Sequence, residues 1–341
     1  MSAPTRTLAL RVIELACCAP SVLNTQPWRW RVVDDATIDL YADRQRQLQV
    51  SDPSGRNLAI SCGAALHHGF VAAQALSLTP TIELMPSPDD KDHLARLTLA
   101  PGVPTGEACE SLQALQTRRT DRRRFTSWPI PDARLAQLAE AATPWGARAI
   151  PLTDVSTRHR AEQLVESAMS AQASDARYAE EQVTWIGRSR VDGIPMAHAA
   201  PHAPDLPSIR PNRFASDAEA ASAAEAAARV VDSSDGLLAI CSAADDQLAW
   251  LRAGETLSAV WLQATRDGLS IVPLSQVIEV DETRARLQHE VLGGLAVPHL
   301  LVRLGWQALS RSQLIRTPRR PVEDVLEGAR ALPAGAESRY H

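Results

Sequence analysis

"GAALHHGFVAAQALSL" (residues 63–78) has apolar residues recurring at helical spacing over several turns, which predicts a long, largely buried helix. The stretch has an echo in "GETLSAVWLQATRDGL" (residues 254–269). Gly63, Leu66, Phe70, Ala73 and Leu78 return as Gly254, Leu257, Trp261, Ala264 and Leu269, all at an offset of 191 residues. Each stretch also follows a strand-like segment and an acidic turn. A repeat of this kind marks internal duplication. The chain is therefore expected to hold two copies of one fold.

Working outward from the first helix, "WRWRVV" and "TIDLYAD" read as two strands joined at Asp34 and Asp35. "TIELMP" and "ARLTLA" are further strands, and "PGVPTGE" is a Pro/Gly break. The first half is read as residues 1–111 and the second as 112–341. In the second half "ARAIPL", "GLLAICS" and "PHLLVRLGW" are strands. "ARLAQLAEAA", "TRHRAEQLVESAMSAQ" and "SDAEAASAAEAAARVV" are helices, with Asp132 near the first N-cap. Residues 175–214, rich in Pro, His and Asp, are read as irregular. They are long enough for a lid over a site, or for an insertion packed on its own unit.

The 341 residues are 45% hydrophobic and 22% charged, the composition of a globular protein. The formal net charge of −5 gives no general attraction to nucleic acid or anionic membrane. Five cysteines, two of them adjacent and none in a CxxC, make a disulfide framework improbable and fit a reducing cytoplasm. Arg11 and Glu14 interrupt the apolar opening, so it reads as an amphipathic helix with Leu8, Val12, Leu15 and Ala16 on one face.

Two segments carry chemistry. "CCAPSVLNTQPW" (residues 17–28) offers a hydroxyl and two amides on a Pro-braced loop. Such groups can read a flat polar heterocycle, or merely satisfy their own backbone. "RRTDRRR" (residues 118–124) gathers five guanidinium groups around one Thr. It suits a phosphate, or is a solvated basic turn at a helix C-terminus. The halves hold these pieces in complementary fashion. The second half keeps only "EAATPWGA" as a truncated echo of the first segment, and the first half lacks the basic run.

"APSVLNTQPW" and "RRTDRRRF" together resemble the FMN-dependent nitroreductases. With "DPSGRNLAISCGAAL" and "DGIP" the chain is similar to their actinobacterial Acg-like subgroup. That resemblance implies an α+β nitroreductase-like fold, here a fused intramolecular pseudo-dimer with one FMN site kept and one lost. It also implies NADH or NADPH as reductant and a nitroaromatic, quinone or similar small molecule as electron acceptor. Arg118, Arg119 and Thr120 match residues binding the phosphate and ribityl chain, and Arg122 a cation near flavin N1 and O2. Pro20, Ser21 and Asn24 match the loop given across the interface to the isoalloxazine. "GLSIVPLSQ" puts Leu274, Ser275 and Gln276 beside the ring, although the family has an acidic residue and Gly where Ser275 and Gln276 stand. Arg319 and Arg320 match a C-terminal basic pair that reaches the phosphate.

No G-x-G-x-x-G or P-loop element is present, which argues against those nucleotide sites. His198 and His202 lie among prolines without cysteine partners, a poor metal set. His67 and His68 read as packed helix residues, and Cys17 and Cys18 as small buried residues. No catalytic side chain and no metal is expected, and association beyond the pseudo-dimer stays open. The alternatives to an oxidoreductase are an FMN storage protein with a lidded site and, more weakly, a nucleic-acid-binding regulator using the Arg118 run.

Overall fold

The computed structural model describes residues 3–103, 106–121, 125–195, 235–306 and 317–327. "WRWRV", which alternates between buried and exposed, and "TIDLYA", buried along most of its length, pair as the hairpin of β1 (Trp28–Val32) and β2 (Thr37–Ala42). With β3 (Leu78–Leu84) and β4 (His93–Pro101) it makes an antiparallel sheet of order β1-β2-β4-β3. The second sheet contains β5 (Arg148–Pro151), β6 (Gly236–Ser242), β7 (Leu269–Leu274) and β8 (Val297–Trp306). Its order, β5-β6-β8-β7, is the same. Even the register irregularity recurs, at Leu40/Tyr41 in β2 and Ile240/Cys241 in β6. The fold is α+β and internally duplicated.

Between the second and third strands of each sheet runs a long helix. With α1 (Ala3–Ala16) first in the chain, these are α2 (Arg56–Ala75) and α7 (Gln247–Arg266), the latter preceded by α3 (Ala108–Thr117), α4 (Asp132–Ala142), α5 (Val155–Ala173) and α6 (Ala176–Trp185). Helices α2 and α7 cross backbone to backbone. A Cβ on Gly63 would lie 1.9 Å from the Leu251 carbonyl oxygen, and one on Gly254 would lie 2.0 Å from that of Ile60. Only glycine permits that approach. The contacts are reciprocal, since Ile60 and Leu251 stand at the same offset as the glycines. Each then reaches past the crossing: Ile60 packs in the core of the second half, and Leu251 in that of the first.

The crossing also buries a polar cluster. Nδ1 of His67 and Nδ1 of His68 both lie 2.7 Å from Ser258 Oγ. His68 Nδ1 is also 3.0 Å from the Ala64 carbonyl, which can only accept, so this nitrogen carries the proton. Ser258 then donates to His67. Burial keeps both rings neutral, pushing His67 down to about 3 and His68 well below its ordinary value.

Several sequence expectations need correction. Helix α6 lies within the stretch read as irregular; Asp175 caps it by accepting from Arg177 N at 3.0 Å. Its buried Tyr178, Gln182 and Trp185 recur at helical spacing ahead of the prolines. Leu8 is exposed, whereas Val12, Leu15 and Ala16 are buried as expected, together with Ala9 and Ile13. Asp132, expected near the N-cap of α4, is its first residue, directly after Pro131 at the cap. The expected Ala-rich helix and residues 196–214 lie outside the described residues.

Two stability predictions follow from the crossing. Gly254→Ala should cost about 1–3 kcal/mol in urea unfolding, because rigid backbone faces the new methyl. Gly106→Ala, with nothing within 4 Å of its added Cβ, should be near neutral. Glu255, beside Gly254, is buried, which raises its carboxyl to about 8. The unfolded chain releases this proton near pH 4.5 and the folded chain only near 8, so stability falls as pH rises through that window. Unfolding measured between pH 5 and 8 should show a smaller fall for Glu255→Gln than for the parent chain, by the share that Glu255 contributes.

Candidate functional site

The loop leaving α1 turns sharply. Leu23, Asn24 and Gln26 all take left-handed φ, at 49°, 54° and 48°. Non-glycine residues hold that conformation only when their surroundings enforce it. Ser21 Oγ supplies part of the restraint by accepting from Gln26 N at 2.9 Å. Pro20 enters the turn half-buried. Asn24 is buried and fully engaged. Its Nδ2 donates to the carbonyls of Gly193 (2.9 Å) and Pro318 (3.1 Å), while its Oδ1 accepts from Arg319 Nη1 at 3.1 Å. Gln26 is likewise gripped: Nε2 donates to Val191 O at 2.9 Å, and Oε1 accepts from Arg320 N at 2.8 Å.

Arg118 ends α3, where the helix dipole favours a cation. It is not a solvated turn residue, being only 4% exposed. Its guanidinium carbon lies 4.6 Å from the centre of the Trp261 ring, and Nη2 donates to Cys18 O at 3.1 Å. Arg319 Nη2 donates to the same Cys18 carbonyl and to Ala19 O, both at 3.2 Å. Two guanidinium groups from distant parts of the second half thus share one carbonyl of the first. Arg118, Arg119 and Arg319 line a small recess together with Cys18, Leu115 and Thr317.

The other expected site residues are placed less uniformly. Arg119 donates to the Gln116 and Arg118 carbonyls, both at 2.7 Å. Thr120 bridges to Ile271, so the segment adds to the edge of β7. Arg122 lies outside the described residues. Arg320 turns from the recess toward Gln26 O (3.3 Å) and Asp43 (3.7 Å), anchoring the tail. Leu274 closes β7 in the apolar cluster with Phe125 and Val277. Ser275 and Gln276 are buried at the start of α8 (Gln276–Glu279).

At the far end of α8, the Glu279 carboxylate accepts from Asn57 Nδ2 (3.2 Å), Gln172 Nε2 (2.7 Å) and Tyr178 OH (3.0 Å). It ties the Leu274–Gln276 segment to the first half and to the insertion. Nearby Asp52 is raised to about 7, as burial outweighs the bonds from Asn57 N and Leu58 N. The described part of the insertion, residues 176–195, meets the first half as well as its own. Glu181 accepts from the backbone N–H of Val50 and Ser51, each at 2.9 Å. Asp192 pairs with Arg46 at 2.8 Å, and Trp185 packs with Leu23, Leu48 and Ile194.

The roles of Asn57, Glu181, Trp261 and Glu279 are not legible in the sequence, because each meets its partner from a distant segment. On the opposite side of the crossing, Trp145 of the truncated echo stands edge-on to His67 at 4.1 Å and Phe70 at 5.1 Å. His198 and His202 lie outside the described residues, among which no metal-holding group occurs. Burial pushes the Cys17 thiol up to about 12. No described helix is long and apolar enough to cross a membrane.

No family model matches the chain. It is 36% identical over 319 residues to Rv3131 of Mycobacterium tuberculosis H37Rv, provisionally named an NAD(P)H nitroreductase, covering 93% of this chain and 90% of that one. It is 31% identical over 319 residues to acg of the same organism, also provisionally so named, covering 92% and 93%. The chain belongs to the nitroreductase family. Within it, the chain stands with the Acg-like proteins. Among solved structures, the FMN-dependent nitroreductase NfnB of Mycobacterium smegmatis in complex with NADPH aligns with a TM-score of 0.40 and 13% identity, covering 68% of this chain and 99% of that one.

Asn24→Ala would strip a buried donor from two carbonyls and an acceptor from Arg319. It should cost about 1–3 kcal/mol. Hydrogen exchange should quicken at Gly193, whose N–H reaches Asn24 O at 3.3 Å.

Proposed function

We propose that this chain is an FMN-binding, NAD(P)H-dependent oxidoreductase of nitroreductase type, acting as a cytoplasmic, single-chain pseudo-dimer. The observation that carries the reading is the convergence of Arg118 and Arg319 on the Cys18 carbonyl, beside the Asn24 loop. Family membership favours turnover over storage. The donor set suits a phosphate monoester, since three guanidinium groups lining one recess match a dianion in charge and hydrogen-bonding capacity.

Arg118, Arg119 and Arg319 would hold the phosphate end, with Thr120 toward the ribityl chain. Pro20, Ser21 and Asn24 would present the first half's loop to the ring, with Leu274, Ser275 and Gln276 on its other side. Arg122 keeps the role that the resemblance implies, a cation near N1 and O2, and Arg320 contributes by fixing the tail. Bound there, FMN would supply the two-electron carrier between NADH or NADPH and a nitroaromatic or quinone-like acceptor. The seam between the halves is best drawn ahead of Ala108, which keeps α3 whole. Residues 176–195 would cover the Ser21–Gln26 turn, which excludes water from that side.

Flavin titration and anaerobic mixing test this reading. The chain should bind FMN, and NADH or NADPH should bleach it at a catalytically useful rate. Bound FMN that neither nucleotide reduces would favour storage; failure to bind FMN would sink both readings. Persistent duplex DNA binding at physiological salt would revive the regulator. Arg118→Met should weaken FMN by about 10- to 100-fold, the worth of a charged hydrogen bond. Ser21→Ala combined with Asn24→Ala should weaken FMN while leaving the circular dichroism spectrum native.

A further inference from the structure

We infer that Trp261 is a positioning residue for the phosphate end of the site, acting as the platform on which the Arg118 guanidinium is set. The inference rests on the FMN reading above. Trp261 is 1% exposed and projects from α7, whereas Arg118 arrives from the end of α3. The guanidinium lies over the indole face at 4.6 Å while its Nη2 holds the Cys18 carbonyl at 3.1 Å. A plane below and a hydrogen bond at one edge fix both the position and the tilt of the fork. A long, flexible side chain is thereby ordered before any anion arrives, which lowers the cost of binding one.

The duplication supplies an internal control. The residue equivalent to Trp261 in the first half is Phe70, at the offset shared by the two helices. Phe70 meets the Trp145 ring edge-on at 5.1 Å. The first half has no counterpart of the Arg118 run, so this aromatic position serves ring packing there. Tryptophan, the strongest cation–π partner, stands on the side that holds the arginine. Packing alone would ask for an aromatic ring at both positions. The pairing of the better cation platform with the cation points to a role in holding charge.

The test measures FMN and riboflavin affinities of Trp261→Phe and Trp261→Leu, each also combined with Arg118→Met. Riboflavin lacks the phosphate and reports on the ring site alone. Trp261→Leu should weaken FMN about tenfold and leave riboflavin unchanged, with Trp261→Phe intermediate. In the Arg118→Met background neither substitution should weaken FMN further. Should Trp261→Leu fail to fold, the Trp261→Phe cycle with Arg118→Met decides by itself. Equal loss for both flavins, or a loss that persists without Arg118, would make Trp261 a packing residue and overturn the inference while the FMN reading stands. A wild-type chain that binds no FMN would overturn both.

Discussion

The backbone contact between α2 and α7 is the constraint on which the rest depends. At Gly63 and Gly254 a single methyl group would collide with a carbonyl oxygen of the facing helix. Because the contact is reciprocal about an internal two-fold, it sets the distance and the relation of the two sheets together. Ile60 and Leu251 then lock the arrangement by crossing into each other's half. The buried Ser258 hydroxyl, shared between two imidazoles, adds a polar register mark that a slipped pairing would leave unsatisfied.

Around this near-symmetric frame the surrounding segments are not symmetric. The turn carrying Asn24 comes from the first half, and Arg118 and Arg319 from the second. Across the axis the turn is shortened, and the Trp145 ring packs against His67 and Phe70. The insertion between β5 and β6, absent from the first half's tight hairpin, reaches over to the Asn24 turn. The tail returns as well: Glu327 N donates to Trp30 O at 2.8 Å on the edge strand β1. Fusion allows such divergence, since each half can lose what the other retains.

The arginines show how far residue type predicts placement. All three around the recess were expected at an anion site, yet their surroundings differ. Arg118 is buried over the Trp261 ring, Arg119 folds back on its own helix end, and Arg319 staples two carbonyls of the facing loop. Arg320, next in sequence, points elsewhere because the extended tail directs successive side chains to opposite sides. Ser21 and Asn24, expected at a ring site, hold a turn of left-handed residues in place.

Neither β7 nor the order of strands within a sheet was legible in the sequence alone, which by itself determined the duplication, the other described strands and the two motif-bearing segments. Those features are written in local periodicity, in the 191-residue offset and in short motifs. It also marked the loop at Asn24 and the run at Arg118 as the segments to bring together. Tertiary contacts alone set Trp261 beneath Arg118, join three separate segments at Glu279 and bring residues 176–195 onto the first half. Such contacts arise from the geometry of the helix crossing. Side chains far apart in the chain meet there without leaving a periodic or compositional trace along it.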